Sequence, residues 1–379
     1  MSAVAVLGAG AGGLSCAVEL SLAGHAVRLW NRSPGSLPAA GAISYTGVLG
    51  EGSVTAAAVS TDLSVALRGA DAVVVSLPAL AHGGVFAGLA SAGCALPVVL
   101  NPGHTGGALH LRQAFRARGV PLPPVAELST LTYVARRAED ADGGAGVRVT
   151  GRAGQVRCAA LPGGAAAADW AAKLFPATLS AAPDVLATSL SNVNLVLHPP
   201  GAILSAAWVE ATGGAFTFYV DAMTDGTGRV IDALDGERRS VAAAFGHILP
   251  PLAGEMALVG TVPPALAASG STAAAVRAGE ANKTLRAPDS LRHRYYREDF
   301  PYAVTPFLAL AAIAGVATPV ASALLTVAGA LTGPGAAPTG PGGGTGPGGE
   351  DGGLDRGLDA AGLGIDGLDV DGLLRLVRG

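Results

Sequence analysis

Short apolar runs punctuated by glycine dominate the first half of the chain. Residues 3–7 (Ala-Val-Ala-Val-Leu) meet glycines at once, and an apolar helical pattern then runs from Leu14 to about Leu22, where Gly24 stops it. Residues 25–30 read as a second strand, 71–78 (Asp-Ala-Val-Val-Val-Ser-Leu-Pro) as a buried one, and 96–101 as another. Unbroken apolar strands alternating with helical stretches predict an α/β fold with a parallel, doubly wound sheet covered on both faces. Residues 147–150 and 155–161 read as strands around a glycine turn that close this sheet. Past residue 182 the period changes. Helical patterns at 186–197, 218–233, 237–246 and from 291 onward predict an all-helical second half. The expected domains are therefore 1–182 and 183–379.

Two stretches depart from this rhythm. Residues 307–332 carry no charge and are long enough to span a bilayer. Gly315 and Pro319 interrupt them, so two buried helices are the better expectation. Residues 333–353 are almost entirely Gly, Pro, Ala and Thr, a composition that reads as a flexible insertion. Leu358, Leu363, Ile365, Leu368 and Val370 then resume an apolar helical pattern.

Composition narrows the function classes. The chain has 379 residues, half of them hydrophobic and only 14% charged, with a net charge of −4. A nucleic-acid partner would call for a basic surface, so none is expected, and neither is a membrane. Cys16, Cys94 and Cys158 lie far apart, which suggests neither a disulfide framework nor a metal site and fits a reducing cytoplasm. The chain enters a strand at once, so no secretory leader is expected.

Gly8-Ala-Gly10-Ala-Gly-Gly13 is a G-x-G-x-x-G between a strand and a helix. Gly8 would permit the tight turn, Gly10 the close approach of a pyrophosphate, and Gly13 the contact of helix with strand, while the helix N-terminus attracts phosphate. The first half thus reads as a Rossmann domain binding a dinucleotide. At the end of the second strand, where an acid would bind the ribose of NAD, the chain reads Asn31-Arg32-Ser33. A cation and two hydrogen-bonding groups suit a 2′-phosphate, so NADP is expected ahead of NAD.

Ser191-Asn192-Val-Asn194-Leu-Val-Leu-His198-Pro-Pro-Gly201 supplies a histidine able to donate a proton to a carbonyl or imine as hydride arrives. The two prolines predict that His198 sits on a helix's last turn, within reach of its dipole, with Asn194 on the same face. Farther on comes His293-Arg294-Tyr295-Tyr-Arg297-Glu298-Asp299-Phe-Pro301-Tyr302. A carboxylate from this stretch could fix the histidine's tautomer.

These two stretches resemble the hallmark segments of the opine (octopine/nopaline) dehydrogenase family. The resemblance implies a Rossmann domain, an all-helical domain of the 6-phosphogluconate-dehydrogenase-like kind, and an active site in the cleft between them. It implies His198 as proton donor, Asp299 as its partner and Arg294 as a cofactor contact. Leu77-Pro78-Ala-Leu-Ala-His82 is similar to the family's loop after the fourth strand, which adds Pro78 as a cofactor contact. The segments 101–107 and 127–133 are similar to substrate-side loops, which adds Thr105 and Thr130, with Asn194 as a further substrate contact. The segments 218–224 and 235–238 are similar to the helical domain. Where family members often carry Pro-Tyr and a Cys, this chain has Thr132 and Ala135, so the amino-acid side of the pocket differs.

The activity implied is NAD(P)H-dependent reductive condensation of an amino acid with an α-keto acid through an imine; the resemblance leaves a homodimer open. Two alternatives share the architecture: NADPH-dependent reduction of an imine or ketone on a larger metabolite, and carbonyl reduction like that of ketopantoate or glycerol-3-phosphate dehydrogenase. The latter families typically use a lysine acid, and the only lysines here, Lys173 and Lys283, stand in no such motif. A nucleotide sensor without chemistry would need neither His198 nor Asp299. His104 and Tyr133 are second choices for the proton.

Overall fold

The computed structural model describes residues 1–139, 144–280, 282–333 and 357–379. The stretch 333–353, read above as an insertion, lies beyond Gly333 outside the described residues. Twelve strands occur among them: β1 (Ala3–Leu7), β2 (Ala26–Trp30), β3 (Ala42–Gly47), β4 (Gly52–Thr55), β5 (Ala58–Ser60), β6 (Ala72–Val75), β7 (Val98–Leu100), β8 (Val125–Leu128), β9 (Tyr133–Glu139), β10 (Ala145–Arg152), β11 (Val156–Ala160) and β12 (Leu179–Ala181). Eight form one sheet in the order β12-β11-β8-β7-β6-β1-β2-β5. The pairings are parallel except for β11 against β8. Val4 to Leu7 and Ala72 to Val75 are fully buried, as central parallel strands covered on both faces must be.

The order reverses at β1, which has β2 on one side and β6 on the other. The chain leaves β1 through Gly8, whose φ is +121°. A Cβ there would lie 2.3 Å from the Ser76 carbonyl at the end of β6, and one on Gly13 would lie 1.9 Å from the Gly8 carbonyl. Only glycine lets the helix Ala11–Leu22 start so close to its strand.

The sequence reading of 147–161 needs correction. β10 and β11 do not pair around a turn. β10 joins a second sheet, β4-β3-β10-β9, while β11 lies in the large one. Between them Gly154 and Gln155 donate their N–H groups to the carbonyls of Val259 and Leu258, so the backbone that would make a hairpin is engaged elsewhere. The small sheet packs on the helix Ala11–Leu22: Leu14, Val18, Ile43, Tyr45, Ala135, Val147 and Val149 share one apolar cluster.

Contacts divide the chain into two units. The first is Met1–Ser191 with Leu258–Gly260 and Asp371–Gly379; the second is Asn192–Ala257 with Thr261–Val370. In the first, the closing helix Val370–Arg378 is tied by Arg378 Nε to the Asp184 carboxylate at 2.7 Å. The second is helical. The sequence expected one helix over 186–197; instead Val185–Leu190 and Val193–Leu204 are separate, because the Asn192 side chain accepts from Asn194 N at 3.1 Å and starts the second afresh. The patterns at 218–233 and 237–246 merge into one helix, Asp225–Ala244, capped by Thr224. The uncharged stretch forms Thr305–Ala314 and Pro319–Thr332, parted at Gly315 with φ +64°. Among the described residues no helix is long and apolar enough to cross a membrane.

The helical unit is organised by buried charge. Arg238, 1% exposed, donates to Asp235 and to the Pro250 carbonyl. Glu237 accepts from the N–H groups of Val320 and Ala321, capping the helix Pro319–Thr332. The 235–238 segment is thus a structural fastening.

Candidate active site

In the first unit the glycine loop fits a dinucleotide. Gly10 precedes the helix Ala11–Leu22 with no side-chain cap, so the first-turn N–H groups receive no side chain, and a Cβ on Gly10 would meet nothing within 4 Å. Ser76 Oγ is buried without a hydrogen-bond partner, 2.9 Å from where a Cβ of Gly12 would lie. An open loop, an uncapped helix start and an unsatisfied hydroxyl together suit a pyrophosphate. Asn31 Oδ1 accepts from Ala9 N at 3.2 Å and its Nδ2 donates to the Ser33 carbonyl, so Asn31 braces the loop itself. Arg32, Ser33 and Pro78 are exposed.

The substrate-side candidates of this unit lie past the strand ends. Thr105 is buried in the loop after β7 and Thr130 is half-buried after β8. Asn101 binds both the hydroxyl and the N–H of Thr132 (2.9 and 3.2 Å), joining the two loops. His104 Nε2 meets the Leu77 carbonyl at 3.1 Å. The Tyr133 hydroxyl donates to Glu19 at 2.5 Å, and burial drives its pKa well above the usual range. It is a poor second choice for a proton donor.

The second unit holds the histidine. The helix Val193–Leu204 runs straight through Pro199 and Pro200, so His198 lies mid-helix and not on the last turn. The prolines withhold two N–H donors, yet every residue from Leu195 to Ala202 is buried, and that burial keeps the chain helical where proline alone would end it. The C-terminal dipole falls off within a turn and does not reach the ring. What the ring meets are side chains. Its Nδ1 lies 2.8 Å from Asp299 Oδ2, and its Nε2 lies 2.9 Å from the Tyr219 hydroxyl. His198 and Asp299 are 5% and 4% exposed.

Asp299 stands between the short helix Arg294–Arg297 and the π-helical turn Phe300–Val304. Tyr296 anchors this stretch by donating to the Ala202 carbonyl at 2.8 Å, on the His198 helix itself. Arg294 is about half exposed and pairs with Glu298 at 3.0 Å. Asn194, four residues before His198, is half-buried. Among the described residues no group of His, Cys, Asp or Glu could hold a metal.

Residues 181–332 match the family profile for the NAD/NADP octopine/nopaline dehydrogenase alpha-helical domain. An opine dehydrogenase of Arthrobacter sp. (strain 1C) is 31% identical over 334 residues, which covers 86% of this chain and 90% of that protein. The chain belongs to the opine dehydrogenase family. It is an NAD(P)-dependent oxidoreductase acting on a CH–NH bond. A solved octopine dehydrogenase with NADH and L-arginine has the same fold at 19% identity, with a TM-score of 0.73 over 99% of this chain and 98% of that one. A yersinopine dehydrogenase with NADP+ bound does so at 17% identity, with a TM-score of 0.68 over 87% and 90%.

Several side chains at these places escape a motif reading of an opine dehydrogenase sequence. Tyr219 and Tyr295 surround His198, but nothing in Phe218-Tyr-Val or Arg294-Tyr295-Tyr says which ring faces the imidazole. Arg137 Nη1 donates to the carbonyls of Ala9 and Ser36, at 2.7 and 3.2 Å, bringing a cation to the glycine loop from a distant strand. Glu127, fully buried in β8, accepts from Thr188 Oγ1, Ser189 Oγ and Ala108 N. Burial raises its pKa to about 7, against the pull of those hydrogen bonds.

Proposed function

We propose that this enzyme condenses an amino acid with an α-keto acid and reduces the resulting imine, with His198 as the acid and Asp299 as its partner. The observation that carries the reading is the buried 2.8 Å contact between His198 Nδ1 and Asp299 Oδ2. With Nδ1–H donating to that carboxylate, Nε2 is the nitrogen left to exchange a proton with substrate. His198 protonates the keto oxygen as the amine adds and again as water leaves, and Asp299 stabilises the imidazolium in between. The bound nicotinamide supplies the hydride. The glycine loop and the uncapped helix start at Ala11 bind its pyrophosphate, with Arg32 and Ser33 available to a 2′-phosphate, for which we propose NADPH as the preferred form. Thr105, Thr130 and Asn194 are the proposed substrate contacts, Pro78 and Arg294 further cofactor contacts. The three free thiols fit the reducing cytoplasm we propose as its location.

A lysine-dependent carbonyl reduction has no support here. Lys173 binds Ser2 and lies over Trp170, and Lys283 pairs with Glu280. The test is a matrix of amino acids against keto acids, following NADPH oxidation. Oxidation that needs both substrates, with a secondary amine as product, supports condensation. Equal oxidation with the keto acid alone refutes it.

A further inference from the structure

His198 is held on both nitrogens, and only one of its partners has a place in the reaction so far. Nδ1 faces Asp299. Nε2, the nitrogen that would carry the exchanged proton, faces the Tyr219 hydroxyl at 2.9 Å. That hydroxyl in turn lies 3.1 Å from the hydroxyl of Tyr295, and the Tyr295 ring stacks on the imidazole with centroids 4.1 Å apart and planes 28° from parallel. The four groups form an unbroken chain: carboxylate, imidazole, phenol, phenol. Exposure rises along it. Asp299, His198 and Tyr219 are 4%, 5% and 6% exposed, whereas Tyr295 is only half-buried.

The sequence fixes this arrangement from two sides. A Cβ on Gly201 would lie 2.7 Å from Phe218 Cζ and 2.8 Å from Met223 Cε, so glycine one turn after His198 admits the Phe218–Tyr219 segment against the helix. Tyr295 belongs to the short helix anchored by Tyr296, the same stretch that supplies Asp299.

We propose that Tyr219 is a further catalytic residue, which with Tyr295 conducts protons between solvent and His198 Nε2. The inference rests on His198 being the acid. Once Nε2 has given its proton to the substrate oxygen, the ring is neutral, with its remaining N–H on the Asp299 side. Once the protonated oxygen has left the single in-plane site of Nε2, the Tyr219 O–H donates its proton there, breaking one O–H bond and forming one N–H bond. Tyr219 recovers a proton from the Tyr295 O–H, and Tyr295 from water. One proton moves from solvent to His198, both phenols end as they began, and no electron changes hands. A buried imidazole that must discharge and recharge in each turnover needs such a path, because water does not reach it freely.

The experiment removes the hydroxyls and keeps the rings. In Tyr219→Phe and Tyr295→Phe, exchange of the His198 ring N–H protons with solvent is read by 15N-edited NMR on the unliganded protein, alongside kcat, its solvent deuterium isotope effect, and NADPH affinity. Tyr219→Phe should slow the exchange and lower kcat by about 10–100-fold, below the ~10²–10⁴ of a directly donating acid. The isotope effect should grow as proton delivery becomes limiting, with NADPH affinity and thermal midpoint unchanged. Tyr295→Phe should act in the same direction and more weakly. His198→Ala serves as the control. If it abolishes turnover while Tyr219→Phe leaves exchange, kcat and isotope effect at wild-type values, the relay is overturned and the acid stands. If His198→Ala itself turns over normally, the underlying assignment falls, and the relay with it.

Discussion

Arg32 is the residue on which the proposed preference for NADPH rests. It follows β2 on an exposed turn, where a carboxylate would repel a 2′-phosphate and a guanidinium binds it. Arg32→Ala should raise the Kd for NADPH by about 10-fold, the equivalent of one charge-assisted hydrogen bond of ~1.5 kcal/mol, and leave the Kd for NADH unchanged. Titration calorimetry on both nucleotides checks this; equal wild-type affinities untouched by the substitution would contradict it. Gly13 makes a complementary case. Its Cβ would fall 1.9 Å from the Gly8 carbonyl, so Gly13→Ala must push the helix off the strand. Nucleotide affinity should fall at least 10-fold, with a loss of stability of about 1–3 kcal/mol. An alanine variant that binds NADPH normally would show that the close contact is not needed. The close contact at Gly13 was legible in the sequence because a glycine motif fixes position to the residue. Tyr219 and Arg137 were not, since reaching His198 Nε2 or the Ala9 carbonyl depends on folding between distant segments.

Elements were readable where burial is two-sided. β1, β6 and β7 are continuous apolar runs and sit at the centre of the large sheet. β10 alternates buried with exposed positions and belongs to the small sheet, a distinction that a glycine turn nearby obscured. The His198 helix was misread for a related reason: proline is a strong local stop signal, and only tertiary burial overrides it. Glu127 works at this scale too, since it ties β8 to the helix Gly107–Arg116 through Ala108 N and to Val185–Leu190 through Thr188 and Ser189. Its folded pKa of about 7 lies above the ordinary 4.5 because burial disfavours the charge. The folded state therefore holds a proton that the unfolded state has released. Stability from this group is full below about pH 4.5 and is lost as pH rises through 7. Glu127→Gln should flatten the fall in thermal midpoint across that window. A variant whose midpoint declines with pH as steeply as wild type would refute the assignment.

At the scale of the whole molecule, each unit carries one part of the proposed chemistry, the nucleotide loop in the first and the acid with its carboxylate in the second. The order of strands and helices along the chain was enough to predict a Rossmann half followed by a helical half. It did not predict that Leu258–Gly260 and the last helix group with the first unit. Such contacts are made by segments distant in sequence, which no periodicity announces. The central claim is that His198 and Asp299 act as one catalytic unit, and a double-mutant cycle on kcat tests it most directly. His198→Ala should lower kcat by ~10²–10⁴-fold with NADPH affinity unchanged, and Asp299→Asn should lower it less. The double variant should be no worse than about the His198→Ala enzyme, because groups that act through each other do not add. Strictly multiplicative losses, or an alanine enzyme with normal turnover, would contradict the account.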